Sequence, residues 1–154
     1  MVTGGFSDLE LFRDRLSQAA KARERGDFDT FFEALKEAAD LYAGDFCSED
    51  LYEDWCTQDR ESLLSDYVDA LVDLATEHLR RGENEQALAR LEEAVAKDPG
   101  REELYRRKMS ICSQIGDRAG IEEAWRRCTS YLWEAYEVSP SPETAELYQR
   151  LRER

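Results

Sequence analysis

Proline and glycine are scarce in this chain of 154 residues, which contains three prolines and eight glycines. No proline occurs before Pro99, so none interrupts a helix in the first 98 residues. Alanine, leucine, glutamate and arginine, all strong helix formers, dominate instead. Sustained alternation of apolar and polar residues, the pattern of a half-buried strand, does not occur. These features exclude sandwiches, barrels and doubly wound sheets, and they predict an all-α fold.

Long apolar runs are also missing. No stretch approaches the ~20 apolar residues of a membrane span, and no basic-then-apolar signal segment opens the chain. We therefore expect a cytoplasmic protein that makes no membrane contact. Hydrophobic residues still make up 42% of the sequence, close to the globular average, so a packed core is expected.

Positive charge is in short supply, because 21 basic residues stand against 35 acidic ones and the net charge is −14. The excess lies in the first hundred residues, since residues 101–154 carry ten residues of each sign. Between Asp45 and Asp73 there are ten carboxylates and one base, Arg60. Such a surface repels phosphate, so we expect this chain to bind neither nucleic acid nor an anionic membrane directly.

Residues suited to catalysis or metal binding are few. The chain has one histidine, His78, and four cysteines without a CxxC pair, which leaves no ordinary zinc ligand set. Glycine-rich phosphate loops, HExxH and GxSxG motifs do not occur. We predict no enzymatic activity and no cofactor. The cysteines are expected to be reduced and mostly buried, as is usual in cytosolic proteins. They are Cys47, Cys56, Cys112 and Cys128.

Three alternatives to a chain without a reactive thiol, a metal site or a titrating histidine stay open. Cys47 and Cys56 would suit a redox switch, although neighbouring carboxylates raise a thiol pKa and suppress the reactive thiolate. The acidic residues between Glu49 and Asp54 offer oxygen ligands for calcium, but without the order of an EF-hand, so a solvated loop is preferred. His78 is expected at a packed position between helices, with a pH sensor or a ligand site as the alternative.

Apolar residues recur at helical spacing along most of the chain and predict about seven helices. We place them near residues 8–25, 27–42, 59–81, 83–97, 102–115, 119–136 and from 142 onward, with an irregular segment at 45–57. Two helix-ending glycines, Gly82 and Gly116, are 34 residues apart, which is the period of a tetratricopeptide (TPR) repeat. The sequence therefore predicts TPR-like helical hairpins in a right-handed α-solenoid, closed by a C-terminal helix.

Several short strings occur in an order that resembles one protein family. They are LYAGDF at 41–46, YEDW at 52–55, Arg60-Glu61, the repeat from Gly82 to Met109, and PSPET at 140–144 followed by Leu147-Tyr148. This order resembles the bacterial transcriptional activator domain (BTAD) of SARP-type activators, over roughly residues 8–151. The resemblance implies a TPR-like helical module that supports dimerisation, regulation and contacts with the transcription machinery. In that family the module follows a winged-helix DNA-binding domain.

Nothing in this chain resembles the winged helix, and whether one precedes residue 1 is left open. We treat residues 1–154 as one domain, with residues 1–6 as a linker or an artificial start. The resemblance implies a protein-interaction module whose partners are RNA polymerase or its sigma subunit, its own DNA-binding domain, or a second copy. A free-standing TPR adaptor for peptides and a TPR module that senses a small ligand are the alternatives.

The first helix of each TPR hairpin lines the concave face of the array, and the resemblance places two rows of side chains there. One row is mainly acidic, and the other has two arginines that would hold a carboxylate bidentately. Solvated faces of ordinary amphipathic helices are the alternative interpretation. The groove residues are Asp69, Val72, Asp73, Thr76 and Arg80 in the first row and Glu103, Arg106, Arg107, Ser110 and Gln114 in the second.

Two pairs of aromatic residues stand out. Tyr52 and Trp55 are expected to anchor the acidic segment, with a partner-facing aromatic patch as the alternative. Trp125 and Trp133 are eight residues apart on one predicted helix, and we expect both to pack in the core.

Overall fold

The computed structural model describes residues 4–43 and 57–153. Within these ranges the chain forms seven α-helices and no strand. The helices are α1 (Gly4–Arg25), α2 (Phe28–Ala43), α3 (Thr57–Arg80), α4 (Asn84–Lys97), α5 (Glu102–Gln114), α6 (Arg118–Tyr136) and α7 (Pro142–Arg152). The all-α prediction is confirmed, and each predicted helix is present with ends that differ by a few residues.

The helices belong to two compact units, residues 1–77 and 78–154. In the first unit α1 packs against α2, and in the second α6 packs against both α5 and α7. Helix α3 begins in the first unit and ends in the second. Each unit is described by itself below, and a right-handed solenoid path stays a prediction.

The same glycine turn follows α1, α3 and α5. Gly26, Gly82 and Gly116 have φ angles of 77°, 78° and 77°, in the left-handed region that side chains with a Cβ rarely adopt. At Gly82 the glycine N–H donates to the Leu79 carbonyl at 3.0 Å, and the next N–H donates to the His78 carbonyl at 2.8 Å. These bonds satisfy carbonyls that the helix end would leave without a partner. The repeated glycine is therefore the signal that ends each of these helices.

The acidic residue after each of these glycines starts the next helix. Asp27 accepts the Thr30 N–H at 3.2 Å, which lowers the pKa of Asp27, and Asp117 accepts the Gly120 N–H at 2.9 Å. Both are N-cap bonds of the kind that short acidic side chains form at a helix start. Glu83 makes no such bond. Its carboxylate instead accepts a hydrogen bond at 2.8 Å from Nδ1 of His78, which is buried as the sequence predicts.

Aromatic residues from three helices form the core of the first unit. Tyr42 of α2 stacks on Tyr67 of α3, with ring centroids 4.1 Å apart, and lies 5.6 Å from the ring of Phe12 of α1. Phe12 and Leu71 are fully buried. Because each helix contributes a large apolar side chain, the three helices share one core.

The core of the second unit lies between α5, α6 and α7. One cluster of it consists of Met109, Cys112, Ile121, Ala124, Tyr148 and Leu151. Trp125 lies beside it and stacks on Tyr148, with centroids 4.3 Å apart and the planes 3° from parallel. A Cβ on Gly120 would lie 2.5 Å from Oδ2 of Asp117 and 2.6 Å from Sγ of Cys112, so a larger residue here would force these side chains to shift.

The expected burial of Trp133 is wrong, because its side chain is 58% exposed. Eight residues at 3.6 residues per turn rotate a side chain by about 80° around the helix axis. Trp125 remains on the buried stripe of α6, and this rotation takes Trp133 off it.

Candidate functional site

An open cleft of about 320 Å³ lies between α1, α2 and α3 within the first unit. Its buried lining is apolar and consists of Ala19, Phe31, Leu35 and Ala70. Charged side chains line its more exposed part, and because three of them are aspartates we call it the acidic cleft. The remaining lining residues are Leu16, Ala20, Arg23, Glu24, Asp66, Asp69 and Asp73.

The three aspartates of the acidic cleft lie along α3. Their spacing of three and then four residues puts them on one helix face, with about 10 Å along the axis from Asp66 to Asp73. Burial and the neighbouring charge of Asp69 raise the pKa of Asp66, against an opposing effect of Arg13. Negative charge is therefore crowded along this wall, which favours an approaching cation.

Arg23 shows how a cation is held in this cleft. Its guanidinium carbon lies 5.4 Å from the ring centroid of Phe31, and its Nη1 lies 3.9 Å from Oδ2 of Asp73. An aromatic face and a carboxylate both attract a positive group. The cleft thus already contains one site of cation–aromatic and cation–carboxylate contact.

The five residues of the first predicted groove row lie in different environments in the structure. Asp69 and Asp73 line the acidic cleft. Val72 is buried and is not part of the lining, and the Thr76 hydroxyl donates to the Val72 carbonyl at 3.1 Å. Arg80 is exposed and belongs to the second unit.

Asp66 lines the same cleft, although sequence reasoning did not include it. The recurrence of aspartate at positions 66, 69 and 73 is the signal that would have identified it, because this spacing defines one helix face.

The second predicted row lies on α5, entirely within the second unit. Glu103 and Arg107 form an ion pair with each other at 2.9 Å, one helical turn apart. Arg106 instead donates to Oγ1 of Thr144 on α7 at 2.8 Å. Ser110 is half-buried and Gln114 is exposed. The two arginines therefore hold different partners.

The PSPET string at 140–144 is hydrogen-bonded to Glu102 of α5. Oε1 of Glu102 accepts hydrogen bonds from Ser141 N–H at 2.9 Å, from Ser141 Oγ at 3.1 Å and from Thr144 Oγ1 at 2.7 Å. Partial burial by itself raises the pKa of Glu102, but the bonds from Thr144 and Ser141 and the charge of Arg106 lower it on balance. We call Glu102, Arg106, Ser141 and Thr144 the α5–α7 clamp, whose role is structural.

A second charged cluster, which the sequence did not reveal, joins α4, α5 and α6. Lys108 is buried and donates to Glu92, and Arg127 donates to both carboxylate oxygens of Glu92 at 3.0 and 3.1 Å. Burial raises the pKa of Glu92, while Lys108 and Arg127 lower it on balance. A buried lysine is stable only when it is paired in this way.

Both cysteines of the second unit are buried free thiols, as expected. Burial raises the pKa of Cys128 to about 12 and also raises that of Cys112. A thiol in this state carries little of the reactive thiolate at neutral pH.

The remaining predicted features lie outside the described residues. They are the aromatic pair Tyr52 and Trp55, the cysteines Cys47 and Cys56, and the acidic residues between Glu49 and Asp54.

In the described ranges, no helix is long and apolar enough to cross a membrane. Histidine, cysteine and acidic side chains of residues 4–43 and 57–153 do not gather into a group of three or more that could hold a metal ion. What these ranges do form is a set of helices joined by recurring glycine turns, with a cleft that has charged walls. The protein is therefore an all-α helical module, and two of its glycine turns have the 34-residue spacing of a TPR repeat.

The sequence matches the family described as "Bacterial transcriptional activator domain" over residues 7–152. The match spans nearly the whole chain, so the chain belongs to this family and is a helical module associated with transcriptional regulators. This confirms the resemblance that the sequence strings predict.

Comparison with curated proteins gives no significant match. Among solved structures, the chain is similar to one titled "Crystal structure of MamA protein", with 16% sequence identity and a TM-score of 0.39. That similarity covers 94% of this chain and 91% of the other. An identity and a TM-score this low are not evidence of a shared function.

Proposed function

We propose that this domain is the protein-interaction and regulatory module of a bacterial SARP-type transcriptional regulator. It acts through contacts with proteins of the transcription machinery, and it does so without touching DNA, catalysing a reaction or using a cofactor. RNA polymerase or its sigma subunit is the partner we test. Its own DNA-binding domain and a second copy of the chain are further partners of the same kind.

The acidic cleft of the first unit is the observation that supports this proposal. Of its apolar lining, Leu16 is half-buried and Ala20 is exposed, and charged side chains surround them. Accessible apolar side chains bordered by charged ones are the composition typical of a protein-binding surface. Its aspartates repel phosphate, so the same surface is unsuited to a nucleic acid backbone. A net charge of −14 for the chain acts in the same direction.

The second predicted row is the other surface to test. Arg106 belongs to the α5–α7 clamp, so changing it would disturb the attachment of α7 as well as any partner contact. Arg107 makes its described contact with Glu103 on the same helix face. Charge reversal at Arg107 is therefore the cleaner way to ask whether this row contributes.

The test is binding of the domain to purified RNA polymerase and to its isolated sigma subunit at two salt concentrations. We expect the wild-type domain to bind one of them and added salt to weaken binding, because rim charges act chiefly through screened long-range attraction. The Asp69→Asn/Asp73→Asn variant should bind about tenfold more weakly, which corresponds to about 1.4 kcal/mol. Glu85→Gln/Glu146→Gln removes the same charge from exposed positions of the second unit and serves as the control.

Three results would contradict the proposal. One is failure of the folded wild-type domain to bind polymerase, sigma subunit, the regulator's DNA-binding domain or itself. Another is equal weakening by the cleft and control variants, which would assign the effect to net charge. The third is specific, sub-micromolar binding of this chain to DNA in a gel-shift assay at physiological salt.

A further inference from the structure

Exposed apolar side chains gather at the end of α6, in the second unit. Trp133, Tyr136 and Val138 are 58%, 60% and 47% exposed. Scattered apolar residues on a surface are ordinary, whereas several close together mark an interaction site. We call these three residues the α6-end patch, and none of them lines the acidic cleft. We propose that the patch binds an arginine-bearing segment of a partner protein, an inference that does not rest on the function proposed for the cleft.

Helical spacing and a packing contact hold the aromatic rings of the patch in place. Trp133 and Tyr136 are three residues apart on α6, so they are neighbours on its surface. The ring of Tyr136 meets that of Tyr131 edge-on, with centroids 6.1 Å apart. A Cβ on Gly100, in the turn between α4 and α5, would lie 3.5 Å from each of these two tyrosines. A side chain already held in this way loses little freedom when a partner covers it, which favours binding.

The α6-end patch lies in a region of negative charge. Residues 131–140 contain two charged side chains, Glu134 and Glu137, and both are exposed. The carbonyl end of a helix adds a partial negative charge, which α4 and α7 balance with basic residues in their last turns, whereas α6 has no basic residue there. Arg101 of the turn between α4 and α5 is bound to Asp98 at 3.1 Å, so this pair adds no net charge. The patch therefore favours a cationic partner.

Glu137 has a backbone conformation that suits glycine. Its φ and ψ are 56° and 39°, in the left-handed region, and within residues 4–43 and 57–153 the other residues with positive φ are glycines. Its N–H donates to the Trp133 carbonyl at 2.9 Å, so its backbone lies one helical turn from this tryptophan. A glutamate here opposes both the backbone preference and the negative helix end. Unfavourable placements of this kind concentrate at functional sites, and a bound cation would relieve the electrostatic part.

Arginine is the side chain that best matches an aromatic surface with carboxylates beside it. Its planar guanidinium stacks on a ring and pairs with a carboxylate at the same time, while the ammonium of lysine is more strongly hydrated. The chain makes the same type of contact internally, since the guanidinium carbon of Arg152 lies 5.3 Å from the ring centroid of Tyr148. An aliphatic residue beside the partner's arginine would cover Val138. A second copy of the chain matches less well, because it would bring the same glutamates together.

The experiment titrates three short peptides into the isotope-labelled full chain and follows the tryptophan indole N–H signals by NMR. One peptide has an arginine between two leucines, another has lysine in its place, and the third has citrulline, which is neutral and nearly the same shape. The Trp133 signal is identified by its loss in Trp133→Phe. We expect the arginine peptide to shift this signal at lower concentration than the lysine peptide, and the citrulline peptide to leave it unchanged. Added salt should weaken the binding.

Matched variants with an apolar side chain removed assign the binding to the α6-end patch. Tyr136→Ala should weaken binding of the arginine peptide about tenfold. Ile115→Ala, which removes another exposed apolar side chain of the second unit, should leave it unchanged. Circular dichroism of each variant verifies that the helices are intact.

Variants of the two glutamates separate binding from stability. Glu134→Gln/Glu137→Gln should weaken binding several-fold, whereas Glu85→Gln/Glu146→Gln, which removes the same charge from exposed positions of the same unit, should not. Glu137→Gly should raise the melting temperature, because glycine adopts the left-handed conformation without strain, and should weaken peptide binding at the same time. A purely structural role of Glu137 predicts no such loss of binding.

Several outcomes would overturn this inference. Absence of a shift with the arginine peptide, or an equal shift with the citrulline peptide, would show that the patch does not select a cation. Equal effects of the patch and control variants, or unchanged binding in Glu137→Gly, would assign the attraction to the net charge of the chain. Self-association that sedimentation detects and Trp133→Ala abolishes would make a second copy the occupant. The peptide assay contains no transcription protein, so its failure leaves the proposed function as it stands.

Discussion

Replacing Glu102 by alanine should detach the start of α7 from α5. A single oxygen, Oε1 of Glu102, accepts hydrogen bonds from the backbone and hydroxyl of Ser141 and from the hydroxyl of Thr144. Thr144 is fully buried, so no water can readily replace the lost carboxylate there. The substitution therefore removes three contacts that join residues about 40 positions apart in sequence.

The expected loss of unfolding free energy in Glu102→Ala follows from the strength of these hydrogen bonds. A hydrogen bond contributes about 0.5–1.5 kcal/mol net, and one to a charged group about 1.5–3 kcal/mol. The three are not additive, because the hydroxyl of Thr144 still accepts a hydrogen bond from Arg106 and because Glu102 is only partly buried. We expect Glu102→Ala to lower the free energy of unfolding of the second unit by about 2–3 kcal/mol.

The effect should also depend on pH. The pKa of Glu102 is lowered in the folded protein from its ordinary value of 4.5. Its stabilising contribution is therefore complete above that value and is lost as the pH falls through the lowered folded pKa. Glu102→Gln keeps an oxygen acceptor without the charge, so it should be intermediate at pH 7, and its disadvantage should disappear in acid.

Urea unfolding of the full chain measures this prediction, with tryptophan fluorescence and circular dichroism recorded together. A Trp55→Phe background leaves Trp125 and Trp133 as reporters, both within the second unit. Two transitions, if they appear, are fitted separately, because a chain with two compact units need not unfold in one step. Glu146→Ala, an exposed glutamate of α7, is the control for loss of a carboxylate. A difference below about 0.5 kcal/mol between Glu102→Ala and this control would refute the reasoning.

Three further predictions concern the second unit. Trp125→Ala should lower the free energy of unfolding by about 3 kcal/mol through loss of its stacked contact. Trp133→Ala should change it by about 0.5 kcal/mol or less, because this side chain is largely exposed. Comparable losses for the two variants in urea unfolding would contradict this difference in burial. Gly120→Ala should destabilise by at least about 1 kcal/mol, because the new Cβ would lie 2.5 Å from Oδ2 of Asp117 and 2.6 Å from Sγ of Cys112. An unchanged melting temperature would show that both side chains move aside without cost. A variant with serine in place of Cys47 and Cys56 leaves Cys112 and Cys128 as its thiols. Both should react with a thiol reagent only after unfolding, since they are buried and burial raises both pKa values. Prompt labelling of the native protein would show that they are accessible.

The helices and their order could be predicted from the sequence because their signals are local. A glycine followed by an acidic residue ends one helix and starts the next, through a left-handed backbone and an N-cap bond that involve only a few neighbouring residues. The period of 34 residues between Gly82 and Gly116 and the ordered strings of the family are likewise visible without a structure. The family match then confirms what these strings predict.

The candidate site could be predicted only in part. The resemblance assigns Asp69 and Asp73 to one groove row, and both line the acidic cleft. Only the packing of α1, α2 and α3 shows that Asp66 shares this cleft and that Arg23 occupies one end of it. Val72, assigned to the same row, is instead buried.

Long-range contacts decided the rest. Arg106 and Arg107 are adjacent in sequence and identical in chemistry, yet one is bound by α7 and the other by its own helix. Lys108 can be buried because it pairs with Glu92 of α4, which Arg127 of α6 also contacts. Trp133 is exposed because it lies off the buried stripe of α6. Local sequence determines which backbone hydrogen bonds a segment can satisfy, and so it determined the helices. Burial and pairing of a side chain depend on residues tens of positions away, which only the tertiary structure brings into contact.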